Sequence, residues 1–80
     1  MQLKILAFGI ARDIIGRFEL PVELAEGANV TDLKNVLINQ FPDFQKLASL
    51  RVAVNTEYAD DSTTLRSNDE IVLIPPVSGG

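Results

Sequence analysis

The pattern of hydrophobic and polar positions predicts four to five β-strands and one main helix. Two stretches near the start of the chain, residues 2–8 and 17–24, alternate with the period of two that is typical of strands. The first strand is unusual because Leu6 and Phe8 make its second face apolar as well. Such a strand either lies in the centre of a sheet or reserves one face for a partner.

The longest amphipathic segment starts at Asn29, which resembles an N-cap residue, with Asp32 as the acidic group of the first turn. Its apolar residues recur at helical spacing and are Val30, Leu33, Val36, Leu37 and Phe41. We therefore expect a helix that Pro42 closes. Shorter helical turns are expected over residues 10–15 and 44–50.

The second half of the chain contains the remaining strands. Residues 51–55 return to a strand pattern, and a short strand is expected near Tyr58. The last strand, residues 70–74, is apolar on both faces, as a buried central strand should be. Asp60 and Asp61 are interpreted as a solvated turn rather than as a metal or acid/base site, because they lie in a polar loop.

This order of elements predicts an α+β fold with two layers. The first and last strands are apolar on both faces, and if they lie side by side at the centre they must run parallel. The prediction is a ubiquitin-like β-grasp over residues 1–74, with a mixed sheet of four to five strands packed on one main helix, followed by a flexible diglycine tail over residues 75–80. Pro21 marks one edge strand, and Tyr58 lies near the other edge. The residues expected between sheet and helix are Leu3, Ile5, Phe18, Leu20, Val22, Val30, Leu33, Val36, Leu37, Val52, Val54, Ile71 and Leu73.

The predicted sheet leaves one face without a covering helix. Leu6 and Phe8 from the first strand would form a contiguous apolar patch there with Val72 and Ile74 from the last strand. On a protein of this size such a patch usually marks a binding surface. The patch would lie where the tail begins.

The composition narrows the chemistry that the chain can perform. Its 80 residues carry a formal net charge of −4. They include no Cys and no His, and this excludes Cys nucleophiles, Cys/His zinc sites and His general bases. The Lys and Arg residues are scattered, so we expect no nucleic-acid partner, and the acidic balance favours a basic protein surface as partner. No signal peptide or membrane span is evident, so we expect no membrane partner and a cytoplasmic location.

A tail with the sequence Pro75-Pro76-Val77-Ser78-Gly79-Gly80 ends the chain. A frayed terminus is one interpretation, but the tail also suits a segment that threads into a narrow channel. Gly79 and Gly80 lack side chains, while the two prolines favour an extended conformation that loses little entropy on threading. Six extended residues reach about 20 Å. The functional group would then be the terminal carboxylate of Gly80.

Four segments of the chain carry a family resemblance. They are Ile5–Gly9 with Ala11–Asp13, Val52–Asn55, Leu65–Ile71 and Pro75–Gly80. Together they resemble the family of small, ubiquitin-like subunits of molybdopterin synthase, which are sulfur carriers, over nearly the whole chain. The tail is the most specific segment, because this ending directly after an apolar strand resembles the molybdopterin branch rather than the thiamin thiazole branch. Ala7 and Ile74 depart from the family pattern, in which aromatic residues are frequent at these positions.

The resemblance implies a mechanism centred on Gly80. An adenylyltransferase of the ubiquitin-activating type would use ATP to adenylate the carboxylate, and sulfur would then displace AMP to leave a thiocarboxylate. Inside the large subunit of the synthase, the thiocarboxylate would donate sulfur to cyclic pyranopterin monophosphate to form the molybdopterin dithiolene. This chain would be the non-catalytic, sulfur-donating subunit of a heterotetrameric transferase. It would bind no cofactor of its own, and the catalytic side chains would lie on the large subunit.

The resemblance also implies two sets of contact residues. The large subunit would hold the tail through Pro75, Pro76, Val77, Ser78 and Gly79. Its interface with the folded body would comprise Leu6, Phe8, Val72 and Ile74, with Arg12 as a polar contact at the rim.

Other functions fit the same tail. The sulfur-carrier chemistry could serve thiamin thiazole synthesis, cysteine synthesis or tRNA thiolation instead. A ubiquitin-like modifier would join Gly80 to target lysines through an isopeptide bond. An interaction module with an incidental diglycine end would tolerate extension or removal of Gly80.

Overall fold

Five strands and two α-helices make up the part of the chain that the computed structural model describes, residues 1–47 and 50–75. In chain order the elements are β1 (Gln2–Ala7), α1 (Gly9–Ile15), β2 (Glu19–Glu23), α2 (Val30–Gln40), a 3₁₀ helix (Pro42–Lys46), β3 (Arg51–Val54), β4 (Glu57–Ala59) and β5 (Glu70–Ile74). The strands form one sheet in the order β2-β1-β5-β3-β4. β1 and β5 are adjacent and parallel, and the other neighbours are antiparallel. The predicted β-grasp is confirmed, with the Pro21 strand at one edge.

The pairing of β1 with β5 decides which side chains face α2. Ile5 lies opposite Ile71, and Leu6 lies opposite Val72. Because paired residues share a face, Ile5 and Ile71 are fully buried in the core, while Leu6 and Val72 lie half-buried on the other side of the sheet. Of the predicted core residues, Leu3, Ile5, Leu20, Val22, Val30, Leu33, Leu37, Val52, Ile71 and Leu73 are buried, and Val36 and Val54 pack against them partly buried.

A capping box fixes the start of α2 and confirms Asn29 as its N-cap. Asn29 Oδ1 accepts a hydrogen bond from the Asp32 N–H, and Asp32 Oδ2 accepts one from the Asn29 N–H, each at 3.0 Å. The polar loop of Asp60 and Asp61 is tied to the same helix, because Lys34 Nζ lies 2.8 Å from Asp61 Oδ1. Asp61 therefore holds the loop against the first turns of α2.

The segment after α2 forms a 3₁₀ helix, which differs from the turn predicted over residues 44–50. It begins at Pro42, whose fixed backbone suits the first position of a helix, and it ends at Lys46. Phe44 is buried and packs edge to face on Phe41, with the ring centroids 6.3 Å apart. Residues 48 and 49 of the predicted turn lie outside the described residues.

One residue of the predicted core, Phe18, lies outside it. β2 begins only at Glu19, and 47% of Phe18 is exposed. The carbonyl of Phe18 still accepts a hydrogen bond from the Ala7 N–H at 2.9 Å. However, Gly16 has a φ of 82° at the end of α1, and the chain bends before the regular alternation of β2 begins. The Phe18 ring therefore packs on Phe8 instead of entering the core.

Leu37→Ala is expected to lower the free energy of unfolding by about 2 to 5 kcal/mol, because the Leu37 side chain is fully buried and its truncation leaves a cavity. Urea titration measures this change. Asn39→Ala in the same helix is the control, since Asn39 is exposed and should shift stability by no more than about 0.5 kcal/mol. Equal effects of the two substitutions would contradict the assignment of the buried face of α2.

Candidate functional site

The sheet face opposite α2, which we call the open face, carries the predicted apolar patch. Leu6 on β1 lies opposite Val72 on β5, and Val72 lies opposite Ala53 on β3. Leu6 and Val72 are partly exposed, whereas the small Ala53 is buried between its neighbours. The structure thus brings Leu6 and Val72 together, as the sequence predicts. Their role at an interface stays a prediction.

Phe8 and Ile74 extend the patch to the end of the sheet where the tail begins. Phe8 follows β1 with an extended backbone (φ −133°, ψ 162°), so its side chain continues the alternation onto the open face, where it is 47% exposed. Ile74 is the last residue of β5 and is partly buried. Because Ala7 lies opposite Leu73, the next residues of these parallel strands, Phe8 and Ile74, are neighbours.

Pro75 is the first residue of the predicted tail and the last that the structure describes. It lies beside Gly9, where a Cβ atom built on the glycine would be 3.7 Å from Pro75 Cγ. The tail therefore starts next to Phe8 and Ile74. The other predicted tail residues, Pro76, Val77, Ser78, Gly79 and Gly80, lie outside the described residues, and their roles stay predictions.

Gly9→Ala is expected to cost about 1 to 2 kcal/mol of stability, because Gly9 has a φ of 57°, which an L side chain disfavours. The added methyl group would meet Pro75 only at ordinary contact distance, so backbone strain rather than a clash is the cause. Gly9→Asn should cost less, since Asn tolerates this conformation better. Urea titrations of both variants measure the difference. If the Gly9→Ala variant is as stable as the parent chain, the positive φ assigned to Gly9 is contradicted.

Phe18 adds to the surface beside the patch, and the sequence analysis missed it. The rings of Phe8 and Phe18 meet edge to face, with centroids 5.7 Å apart and an interplanar angle of 77°. Both side chains are 47% exposed. Gly16 was the signal in the sequence that could have revealed the exposure of Phe18. A glycine that ends a helix is often followed by a turn, so the next strand starts a few residues later.

Arg51 and Tyr58 flank the patch on its other side. Arg51 lies opposite Ile74, and Tyr58 lies opposite Ala53, so both share the open face. The guanidinium carbon of Arg51 is 4.4 Å from the centroid of the Tyr58 ring, within the range of a cation–π contact. Tyr58 remains 62% exposed. The sequence placed Tyr58 near a sheet edge but gave no sign of its contact with Arg51.

Arg12, the predicted rim residue, lies on α1 and is exposed. Its backbone N–H is 3.4 Å from the carbonyl oxygen of Phe8, and its own carbonyl accepts a hydrogen bond from the Gly16 N–H at 2.7 Å. Arg12 therefore lies one helical turn after Phe8, with its side chain accessible to solvent.

The described residues offer apolar contacts and exposed arginines rather than a cluster of ligands. Within residues 1–47 and 50–75, no group of three or more His, Cys, Asp and Glu side chains could hold a metal ion. In the same part of the chain, no helix is long and apolar enough to cross a membrane. An apolar centre with arginine and aromatic side chains around it has the composition of a protein-binding surface.

Comparisons with known proteins cover the residues of this surface and of the tail. The family model described as ThiS family matches residues 5–80. The molybdopterin synthase sulfur carrier subunit of Chlamydomonas reinhardtii is 37% identical over 100% of both chains. The protein of the same name from Arabidopsis thaliana is 33% identical over 100% of this chain and 84% of its own length.

Solved structures share the fold over almost the whole chain. A protein assigned as molybdopterin converting factor, subunit 1, from Pyrococcus furiosus has a TM-score of 0.88 and 28% identity, covering 96% of this chain and 99% of its own. A complex of subunits 1 and 2 of the molybdopterin-converting factor from Helicobacter pylori 26695 contains a chain with a TM-score of 0.69 and 25% identity, covering 100% of both chains. Small archaeal modifier protein 1 of Haloferax volcanii, with a TM-score of 0.85, 24% identity and 100% coverage of both chains, shows likeness of fold alone.

Proposed function

The chain belongs to the ThiS family, and from that premise we propose that it is the sulfur-carrier subunit of a molybdopterin synthase. The observation that carries the proposal is the alignment with the algal sulfur carrier subunit, which runs the full length of both chains. The fold shared with the Pyrococcus furiosus protein supports the same function.

Sulfur is carried at the carboxylate of Gly80 in this proposal. A carboxylate is a poor acyl donor, so one of its oxygens first attacks the α-phosphorus of ATP, which releases pyrophosphate and leaves an acyl adenylate. A sulfur nucleophile at the oxidation level of sulfide then attacks the acyl carbon, AMP departs with that oxygen and the bonding electrons, and the S–H proton is lost to solvent. The product is a thiocarboxylate on Gly80. A ubiquitin-activating-type adenylyltransferase catalyses the adenylation. We place this protein in the cytoplasm.

Delivery of the sulfur needs a large subunit. The Helicobacter pylori neighbour is part of a complex between subunits 1 and 2 of a molybdopterin-converting factor. In our proposal the open face of this chain docks on an equivalent large subunit through Leu6, Phe8, Val72 and Ile74. The tail starts at Pro75 beside this patch, and its six residues reach about 20 Å into the partner when extended. The side chains that act on cyclic pyranopterin monophosphate then belong to the large subunit.

Intact-mass measurement tests the carrier chemistry. The purified chain is incubated with the activating enzyme, ATP and a sulfur donor, and we expect its mass to rise by the difference between one sulfur and one oxygen atom. The matched control omits ATP and should leave the mass unchanged. Higher-mass conjugates that persist in denaturant would indicate a protein modifier instead. An unchanged mass after incubation with the activating enzyme, ATP and the sulfur donor would contradict the proposal.

A further inference from the structure

Two exposed arginines share the open face with the apolar patch. Arg51 lies opposite Ile74 in the pairing of β3 with β5, so its side chain is on the same face. Arg17 precedes β2 and borders a groove on the open face, whose lining also includes Lys4, Leu6, Glu19 and Glu70. Both arginines are exposed. They lie on opposite sides of the patch.

The order of the strands places these arginines on opposite sides of the patch. Four residues follow one another across the open face at the end of the sheet where the tail starts. In spatial order they are Arg17 before β2, Phe8 after β1, Ile74 on β5 and Arg51 on β3. Neighbouring strands are about 4.8 Å apart, so Arg51 lies about 10 Å across the sheet from Phe8. Arg17 lies on the other side of Phe8, in the bend before β2. The apolar pair of Phe8 and Ile74 lies between them.

Neither arginine forms an ion pair within residues 1–47 and 50–75. The ion pairs found within the described residues are made by lysines, and they are Lys4 with Glu19, Lys34 with Asp61 and Lys46 with Asp43. The Arg51 guanidinium lies over the Tyr58 ring, a contact that uses its face and not its N–H groups. A guanidinium binds a carboxylate through two parallel hydrogen bonds, which fixes orientation as well as distance.

We propose that Arg17 and Arg51 orient the large subunit by binding two of its carboxylate side chains, one on each side of an apolar strip that covers Phe8 and Ile74. This inference rests on the proposed function. The net charge of −4 favoured a basic partner surface for the chain as a whole, whereas these two arginines require acidic side chains opposite them. The partner should therefore carry acidic side chains at the rim of its docking site, on either side of the apolar strip.

Association kinetics with a purified large subunit test this role. The parent chain is compared with Arg17→Glu, Arg51→Glu, the double variant and the Lys substitutions at both positions. Charges at an interface rim act mainly on the association rate, so we expect the double Glu variant to associate at least about 10-fold more slowly at low salt. Its association rate should also fall less steeply as salt increases, and the Lys variants should keep most of the parent rate.

Arg66→Glu is the matched control for charge. Arg66 is also exposed, but it precedes β5 and so lies at the end of the sheet away from the tail. Its backbone N–H donates to Asp69 Oδ2 at 2.8 Å, and its carbonyl accepts from the Asp69 N–H at 3.0 Å. Its substitution should leave the association rate within about twofold of the parent. Equal slowing by Arg66→Glu, or no slowing by the double variant, would overturn the inference while leaving the proposed function intact. A parent chain that does not bind the large subunit would overturn both.

Discussion

Deletion of Gly80 is expected to reduce sulfur transfer to the pterin precursor by at least about 100-fold. The deletion moves the terminal carboxylate to Gly79 and shortens the tail by about 3.5 Å. A misplacement of only about 1 Å at a reacting centre can cost a factor of about 100. Extension of the chain by one Ala after Gly80 should have an equally large effect, because it converts the reactive carboxylate into an amide. The measurements are the thiocarboxylate fraction by intact mass and the yield of molybdopterin.

The folded body supplies the control for this prediction. The buried core consists of residues from Leu3 to Leu73, so both tail variants should unfold at the same urea concentration as the parent chain. A loss of sulfur transfer with unchanged stability would assign the effect to the reacting end. Parent-like transfer by the chain without Gly80 would show that the carboxylate of Gly80 is not the carrier.

Phe8→Ala is expected to weaken binding to the large subunit by about 30-fold, equivalent to about 2 kcal/mol for an aromatic side chain at the centre of an interface. Phe8 is the half-exposed aromatic residue between Ile74 and Phe18, directly beside the start of the tail. Truncation would remove apolar area that a partner covers on docking. Isothermal titration calorimetry with the purified large subunit measures the dissociation constant.

Phe8→Leu is the matched variant, because it keeps most of the apolar area and loses the edge-to-face contact with Phe18. It should lie between the parent and Phe8→Ala in affinity. Melting temperatures separate a binding defect from loss of the fold. If Phe8→Ala binds as tightly as the parent, the open face is not the docking surface at this end of the sheet.

The parallel pairing of β1 with β5 could be predicted because the sequence specifies it strongly. Both strands are apolar on both faces, and a shift by one residue would move Ile5 and Ile71 out of the core. The same alternation places Leu6 and Val72 together on the open face. Strong hydrophobic patterning thus predicted the sheet and most of the apolar patch.

The edges of the site could not be predicted in the same way. Phe18 follows the alternation of β2, but the bend after Gly16 removes it from the strand, and no local pattern shows how far such a bend extends. The contact between Arg51 and Tyr58 depends on the register of β3 with β4, which a short edge strand specifies weakly. The tail residues from Pro76 to Gly80 lie outside the described residues, so their part of the site stays a prediction from sequence.

Reconstitution of the complete reaction tests the central claim most directly. The thiocarboxylated chain is mixed with purified synthase large subunit and cyclic pyranopterin monophosphate, and the mass of the chain and the amount of molybdopterin are followed together. We expect one loaded chain to return to the carboxylate form for each sulfur atom that appears in the dithiolene. A loaded chain that keeps its sulfur in the presence of both components would contradict the claim that this protein is the sulfur carrier of molybdopterin synthase.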